Sequence, residues 1–107
     1  MLSRWIGVDL YGTLAHYTGW QGAAHIGEPI PAMLVRVQAW LAAGVQVKIF
    51  TARASLPECV PYVTAWLKHH GIGGLEITNV KDFGMVELWD DRCIRVVRNK
   101  GVPCCTD

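Results

Sequence analysis

Short apolar runs that end in polar residues recur along this chain, and they predict β-strands. The runs are rich in β-branched and aromatic residues, and some alternate with polar positions as half-buried strands do. Turn-forming residues follow most of them, which is typical of strand ends. The predicted strands cover residues 4–9, 45–51, 75–80, 85–89 and 94–97.

Two segments between these runs carry apolar residues every three or four positions, which predicts amphipathic helices. The first helix is expected to begin at Pro31, where a missing N–H costs nothing, and to stop before Gly44. For the second helix we expect Ser55 as the N-cap and Pro57 in the first turn, with an end near residues 69–71. The expected buried faces consist of Met33, Leu34, Val37, Trp40 and Leu41 in the first helix and Val60, Val63, Trp66 and Leu67 in the second.

The order of these elements predicts an α/β fold. Helices separate the first three strands, which favours parallel pairing and an open, mostly parallel, three-layer sheet of about five strands. With 107 residues, the chain is expected to form a single domain, residues 1–107. Residues 10–30 are rich in glycine and aromatics and lack a helical or strand period, so we interpret them as a flap packed onto the body. Residues 99–107 are predicted to be a loosely held tail.

Composition narrows the classes of function. The net charge is +1, which gives no electrostatic case for nucleic acid as the main partner, and no apolar run is long enough to span a membrane. The first strand starts almost at Met1, so no signal peptide is expected and we predict a cytoplasmic location. In that compartment the four cysteines, two of them adjacent at Cys104 and Cys105, are expected to be free thiols. The sequence leaves open whether the chain forms a homo-oligomer.

Polar groups follow four of the apolar runs: Asp9, Thr51, Lys81 and the pair Asp90–Asp91. Because the carboxyl ends of parallel strands meet at one edge of a sheet, these side chains are expected to share a crevice. Carboxylates gathered so closely would have raised pKa values unless a cation neutralised them. Mg²⁺ suits two carboxylates together with a substrate phosphate and water, and Asp9 would then be free to attack phosphorus.

These segments resemble the sequence motifs of the haloacid dehalogenase-like (HAD) hydrolase superfamily. Residues 9–14, Asp-Leu-Tyr-Gly-Thr-Leu, look like motif I, and residues 47–51 are similar to motif II. Lys81 resembles motif III, and residues 88–91, Leu-Trp-Asp-Asp, resemble motif IV. The likeness covers residues 4–98 and implies a Rossmann-like sheet with the first strand central. The sequence most resembles small members of the superfamily without a cap domain, because residues 10–30 are too few to form one.

The resemblance also implies roles for individual residues. Asp9 would be the nucleophile, Thr51 would bind the transferred group and Lys81 would steady the charge. Mg²⁺ would be held by Asp9, the main-chain carbonyl of Tyr11 and Asp90, with Asp91 in support. For the phosphorylated substrate we expect contacts from Gly12, Thr13, Arg53 and Asn79, although a surface role explains Arg53 equally well.

One departure from the superfamily pattern affects the expected activity. Phosphatases of this superfamily carry a second Asp two residues after the nucleophile as general acid and base, and Tyr11 stands there instead. A lost general acid costs about 10²–10⁴ in rate, so we expect a Mg²⁺-dependent phosphomonoester hydrolase that is either slow or takes the proton from Tyr11 or from the substrate. The alternatives are a non-catalytic phosphate- or metal-binding module and a 2-haloacid dehalogenase, since the true dehalogenases also carry Tyr at this position and need no metal.

Overall fold

A computed structural model describes residues 3–104 and shows an α/β domain built on a parallel sheet. The strands are β1 (Trp5–Val8), β2 (Val47–Phe50), β3 (Glu76–Thr78) and β4 (Met85–Trp89). The helices are α1 (Pro31–Ala42) and α2 (Val60–His69), with a short 3-10 helix at Ala52–Ser55. The strand order is β3-β2-β1-β4 and every pairing is parallel. The predicted α/β class and parallel sheet are confirmed. None of the helices within residues 3–104 is long and apolar enough to cross a membrane.

The hydrophobic core lies on one face of the sheet. Ile6 pairs with Val47 and Val8 with Ile49, so these four buried side chains point the same way. They belong to one cluster with buried residues of both helices, namely Met33 and Val37 of α1 and Val63, Trp66 and Leu67 of α2. The predicted three-layer arrangement is therefore not confirmed, because both helices of the described chain pack with this cluster.

The opposite face of the sheet is organised around Trp5. Its indole Nε1–H donates to Asp82 Oδ1 at 2.8 Å, and the Lys48 ammonium lies 4.5 Å from its ring centroid. Asp82 belongs to residues 79–84, the connection from β3 to β4, which must pass the two strands that lie between them. This short connection brings the Asp82 carboxylate to Trp5 and Lys48 on this face of the sheet.

The beginning of α2 differs from the prediction. Thr51 Oγ1 accepts a hydrogen bond from the Arg53 amide, and residues 52–55 form the 3-10 helix. Ser55 therefore ends this short helix and does not cap α2. The α-helix starts at Val60, and Pro61, not Pro57, occupies its first turn. By contrast, α1 begins at Pro31 as predicted, and Gly44 after its end adopts a φ of 81°.

The predicted fifth strand at residues 94–97 is wrong. Within residues 3–104 the sheet has four strands, and this segment makes only an isolated antiparallel bridge between Val96 and Pro103. Ile94 is 75% exposed, so no neighbouring strand covers it. A turn after β4, in which the Arg92 amide donates to Asp90 Oδ1, leads the chain out of the sheet. The predicted tail folds back on this segment as far as Cys104, whose amide donates to Arg95 O; residues 105–107 lie outside the described chain.

The flap (residues 10–30) has no helix or multi-residue strand but packs closely onto the body. Leu14 and Ala15 are fully buried, and Trp66 Nε1–H of α2 donates to Gly27 O at 3.0 Å. The base of the flap is closed by an antiparallel bridge between Ala15 and Pro29 and by the Ile30 amide, which donates to Leu14 O. These bonds hold the flap beside the end of β1.

Candidate functional site

The carboxyl ends of β1 and β4 bring three carboxylates together. The two strands are parallel neighbours, Val8 pairs with Trp89, and the Asp9 amide donates to Trp89 O at 2.9 Å. This register sets Asp9 beside Asp90 and Asp91. One carboxylate oxygen from each residue lies within 4.8 Å of the other two. We call Asp9, Asp90 and Asp91 the carboxylate cluster.

The cluster is electrostatically unfavourable when no cation is near it. Partial burial and the negative charges of Asp90 and Asp91 raise the pKa of the Asp9 carboxyl from 3.8 to about 7, although a hydrogen bond from the Leu10 amide acts in the opposite direction. All three donors are carboxylate oxygens, which is the chemistry preferred by hard divalent cations. The residues present therefore fit a metal ion that would neutralise them.

The turn after β1 positions Asp91. A Cβ on Gly12 would lie 2.6 Å from Asp91 Oδ2, and Gly12 has a φ of 82°, so only glycine fits this position. Thr13 Oγ1 accepts from the Asp91 amide at 3.1 Å and donates to Asp91 Oδ1 at 3.3 Å. Gly12 and Thr13, predicted to touch substrate, thus contact a member of the carboxylate cluster.

A cavity of about 620 Å³ opens beside the cluster. Asp9, Asp90 and Asp91 contribute to its wall, as does Thr51 from the end of β2. Thr51 is 3% exposed, and its amide donates to Thr78 O at 2.9 Å, which fixes it against β3. The structure therefore brings together the predicted nucleophile, the predicted phosphate-binding hydroxyl and two predicted metal ligands. A volume of this size suits a small organic molecule.

Arg53 also lines the cavity, but it is not a surface residue. It is 2% exposed, and its guanidinium donates to three flap carbonyls, those of Gly22, Ala23 and His25. The contact to Ala23 O is 2.6 Å and that to His25 O is 2.8 Å. Arg53 therefore fastens the flap to the body. Its Nε–H is buried and has no hydrogen-bond partner among residues 3–104.

Tyr11 is part of the same network. Its hydroxyl accepts a hydrogen bond from Arg53 Nη2 and donates to His25 O at 3.0 Å. The Tyr11 ring lies 4.9 Å below the Arg53 guanidinium and 4.4 Å from the ring of Tyr17, measured between centroids for the two rings. The residue at the expected position of the general acid is thus held in place by Arg53 and by other residues of the flap.

The two remaining predicted residues differ in their placement. Asn79 lines the cavity, where its side-chain amide donates to Ser55 Oγ. Lys81 is exposed on the connection from β3 to β4 and is not among the residues that line the cavity. The structure does not bring the predicted motif III ammonium to the carboxylate cluster.

Several cavity residues were not predicted as site residues. They are mostly apolar or aromatic and comprise Tyr17, Trp20, Phe50, Ala52, Ser55, Leu56 and Arg92. The signal for Tyr17 and Trp20 was present in the sequence, since both lie in a long aperiodic loop directly after the predicted nucleophile. Phe50 and Leu56 resemble core positions, so the sequence did not indicate that they would line a cavity.

No protein-family model, curated protein or solved structure matches this chain. The case for its function therefore depends on the geometry and chemistry of the carboxylate cluster and the cavity beside it.

Proposed function

We propose that this protein is a Mg²⁺-dependent phosphomonoester hydrolase in which Asp9 is the nucleophile. The observation that carries the proposal is the meeting of three carboxylate oxygens within 4.8 Å at two adjacent strand ends, at the wall of a cavity. The resemblance of residues 9–14 and 88–91 to motifs I and IV of the HAD-like superfamily supports it. We also propose that the sheet is Rossmann-like and that the protein is cytoplasmic.

Asp9, Asp90 and the main-chain carbonyl of Tyr11 would hold the Mg²⁺ ion, with Asp91 in support. Bound there, the ion would neutralise the carboxylates and the charge of the substrate phosphate. Thr51, fixed by its bond to β3, would donate its hydroxyl to a phosphate oxygen. Asn79, at the same cavity wall, would contact a further substrate oxygen.

The chemistry would proceed by attack of an Asp9 carboxylate oxygen on phosphorus. The bond from phosphorus to the ester oxygen breaks, and the leaving alkoxide must gain a proton. Water then attacks the phosphorus of the aspartyl-phosphate, releases inorganic phosphate and restores Asp9. Because Tyr11 replaces the expected acid, protonation of the leaving group would be slow unless the alcohol is acidic.

A non-catalytic phosphate- or metal-binding module is the second candidate. Two observations favour it: the hydroxyl of Tyr11 is engaged with Arg53 and His25, and Lys81 lies outside the cavity wall. Both features would weaken turnover and leave the carboxylate cluster and Thr51 able to bind ligands. Dehalogenation is a weaker candidate, since a metal-free reaction gives no reason to gather Asp90 and Asp91 beside Asp9.

The test is hydrolysis of p-nitrophenyl phosphate, whose leaving group is acidic enough to need little protonation. We expect phosphate release that requires Mg²⁺ and falls at least about 10³-fold in Asp9→Asn, as for other essential nucleophiles. Glu58→Gln, which removes an exposed carboxylate outside the cavity wall, serves as the control and should keep the activity. Equal rates for the wild type and Asp9→Asn would reject the hydrolase in favour of the binding module. Chloride release from 2-chloropropionate would instead support dehalogenation.

A further inference from the structure

Part of the cavity wall is aromatic and partly exposed. Trp20 is 54% exposed and Tyr17 42% exposed, although both line the cavity together with Phe50 and Leu56. Large apolar side chains gain stability from burial, and here folding leaves much of that area in water. Two half-exposed aromatic rings at the wall of one cavity indicate a surface that a ligand would cover.

The rings are already ordered as a stacking surface. The Arg53 guanidinium lies 5.0 Å from the Trp20 centroid and 4.9 Å from that of Tyr11, which in turn contacts Tyr17. The bonds from Arg53 to the carbonyls of residues 22, 23 and 25 hold the neighbouring flap backbone in place. A planar ligand would therefore meet aromatic faces whose positions are largely fixed, which lowers the entropic cost of binding.

The charge of Arg53 selects the kind of ring. A quaternary ammonium group would be repelled by a guanidinium within contact distance of the same aromatic faces, although aromatic walls alone would attract it. An uncharged heterocycle has no such penalty.

We propose that the substrate is a phosphomonoester carrying a planar, uncharged ring, with the phosphate at the carboxylate cluster and the ring against Trp20 and Tyr17. This inference rests on the proposed function for the phosphate end only. A nucleoside monophosphate is the simplest common molecule with this chemistry, and the cavity of about 620 Å³ is large enough for one.

The ring site can be tested without hydrolysis. Adenosine and ribose would be titrated into the full chain with Mg²⁺ present and binding followed by NMR. We expect adenosine to bind about 10-fold or more tightly than ribose, because stacking of a base on one aromatic residue strengthens binding by about this factor. Trp20→Leu and, independently, Tyr17→Leu should reduce that preference severalfold, because both keep an apolar side chain but remove the ring. Phe83→Ala, which alters a 99% exposed ring that does not line the cavity, should leave it unchanged.

Phosphate release then separates this inference from the proposed function. The value of kcat/KM should be about 10-fold higher for adenosine monophosphate than for ribose 5-phosphate, and this ratio should fall severalfold in Trp20→Leu. Equal binding of adenosine and ribose, or tighter binding of choline, would overturn the ring site even if phosphate is released from both esters. Preferential adenosine binding without phosphate release from any ester would keep the ring site and reject the hydrolase. Phenyl phosphate distinguishes a general aromatic preference from recognition of a nucleobase.

Discussion

At the scale of single residues, the site depends on how Asp9 is held. The carboxyl sits at the end of β1, where the sheet partly buries it, and one oxygen from each of two further carboxylates lies within 4.8 Å of it. Burial and like charge both disfavour ionisation, which is why the pKa of Asp9 rises to about 7. In the proposed mechanism Asp9 must be ionised to attack phosphorus, and a bound cation would favour that ionised form.

This arrangement makes stability depend on pH in the absence of metal. Between about pH 4 and pH 7 folded Asp9 keeps a proton that the unfolded chain has lost, so this stabilisation is fully present below about pH 4 and is lost progressively until the pH has risen through the folded pKa of about 7. The full change in pKa corresponds to about 4 kcal/mol, and partial exposure of the carboxyl should reduce it to about 1–2 kcal/mol. Urea denaturation in EDTA at pH 5 and pH 8 measures it.

In that experiment Asp9→Asn is the matched comparison, because every other titrating group is retained. Because pH 5 to pH 8 covers about two-thirds of the change in pKa, the wild type should lose about 1 kcal/mol more than Asp9→Asn between the two pH values. Addition of Mg²⁺ at pH 8 should restore stability to the wild type more than to the variant. Parallel pH dependences for the two proteins would show that the carboxylate cluster does not destabilise the metal-free fold.

Tyr11 gives a second residue-scale prediction. Tyr11→Asp would place a carboxylic acid where the leaving alcohol needs a proton, and we expect hydrolysis of an alkyl phosphate such as ribose 5-phosphate to rise about 10²-fold. Hydrolysis of p-nitrophenyl phosphate should rise much less, since its leaving group needs little protonation. Tyr11→Phe, which also removes the hydroxyl but supplies no acid, is the control. No gain on either ester would indicate that the site lacks more than a general acid, as the binding module requires.

At the scale of elements, Arg53 connects the 3-10 helix to the flap, which Trp66 of α2 also contacts. It lies in the 3-10 helix that follows β2, and its guanidinium reaches the backbone of the flap 28 to 31 residues earlier. The flap has no helix or multi-residue strand to satisfy its carbonyls, so a buried five-donor side chain does so instead. The position of the flap is therefore set by an element outside it.

Arg53→Met should release that connection. The methionine keeps much of the apolar stem but leaves the flap carbonyls unpaired. We expect a loss of about 2–4 kcal/mol in the free energy of unfolding. If the flap instead opens locally, we expect rapid proteolysis within residues 16–28. Limited proteolysis followed by mass spectrometry distinguishes the two outcomes. Arg98→Met, at an exposed arginine, is the control and should change stability by less than about 0.5 kcal/mol. Unchanged stability together with unchanged cleavage would contradict the role assigned to Arg53.

At the scale of the whole molecule, the sequence located the carboxylate cluster better than its surroundings. Asp9, Thr51 and Asp90 could be placed because each follows an apolar run and parallel strands end at one edge. The position of Arg53 could not be predicted, since nothing in its local sequence indicates that carbonyls about 30 residues earlier would surround it. The segment 94–97 resembled a strand by composition, but strand formation needs a partner, and composition does not report whether one is available.

Lys81 illustrates the same limit for the connection between β3 and β4. Its place after an apolar run suggested the crevice, yet residues 79–84 must also cross to the far edge of the sheet. Asp82 is held there by Trp5 and Lys48, and this anchoring constrains its neighbours. A residue that follows a strand therefore reaches the site only when the path of the next connection allows it.

The closed base of the flap has a consequence for how this protein can change over time. The bridge between Ala15 and Pro29 and the bond from His16 N to Glu28 O bring the two ends of residues 16–28 together, so the intervening chain enters and leaves at a single point. Doubling the length of such a loop costs only about 0.6 kcal/mol in closure entropy. A single insertion within this stretch can therefore add new surface beside the cavity at little cost, provided that its backbone still offers carbonyls to Arg53, while the sheet and its carboxylates stay unchanged.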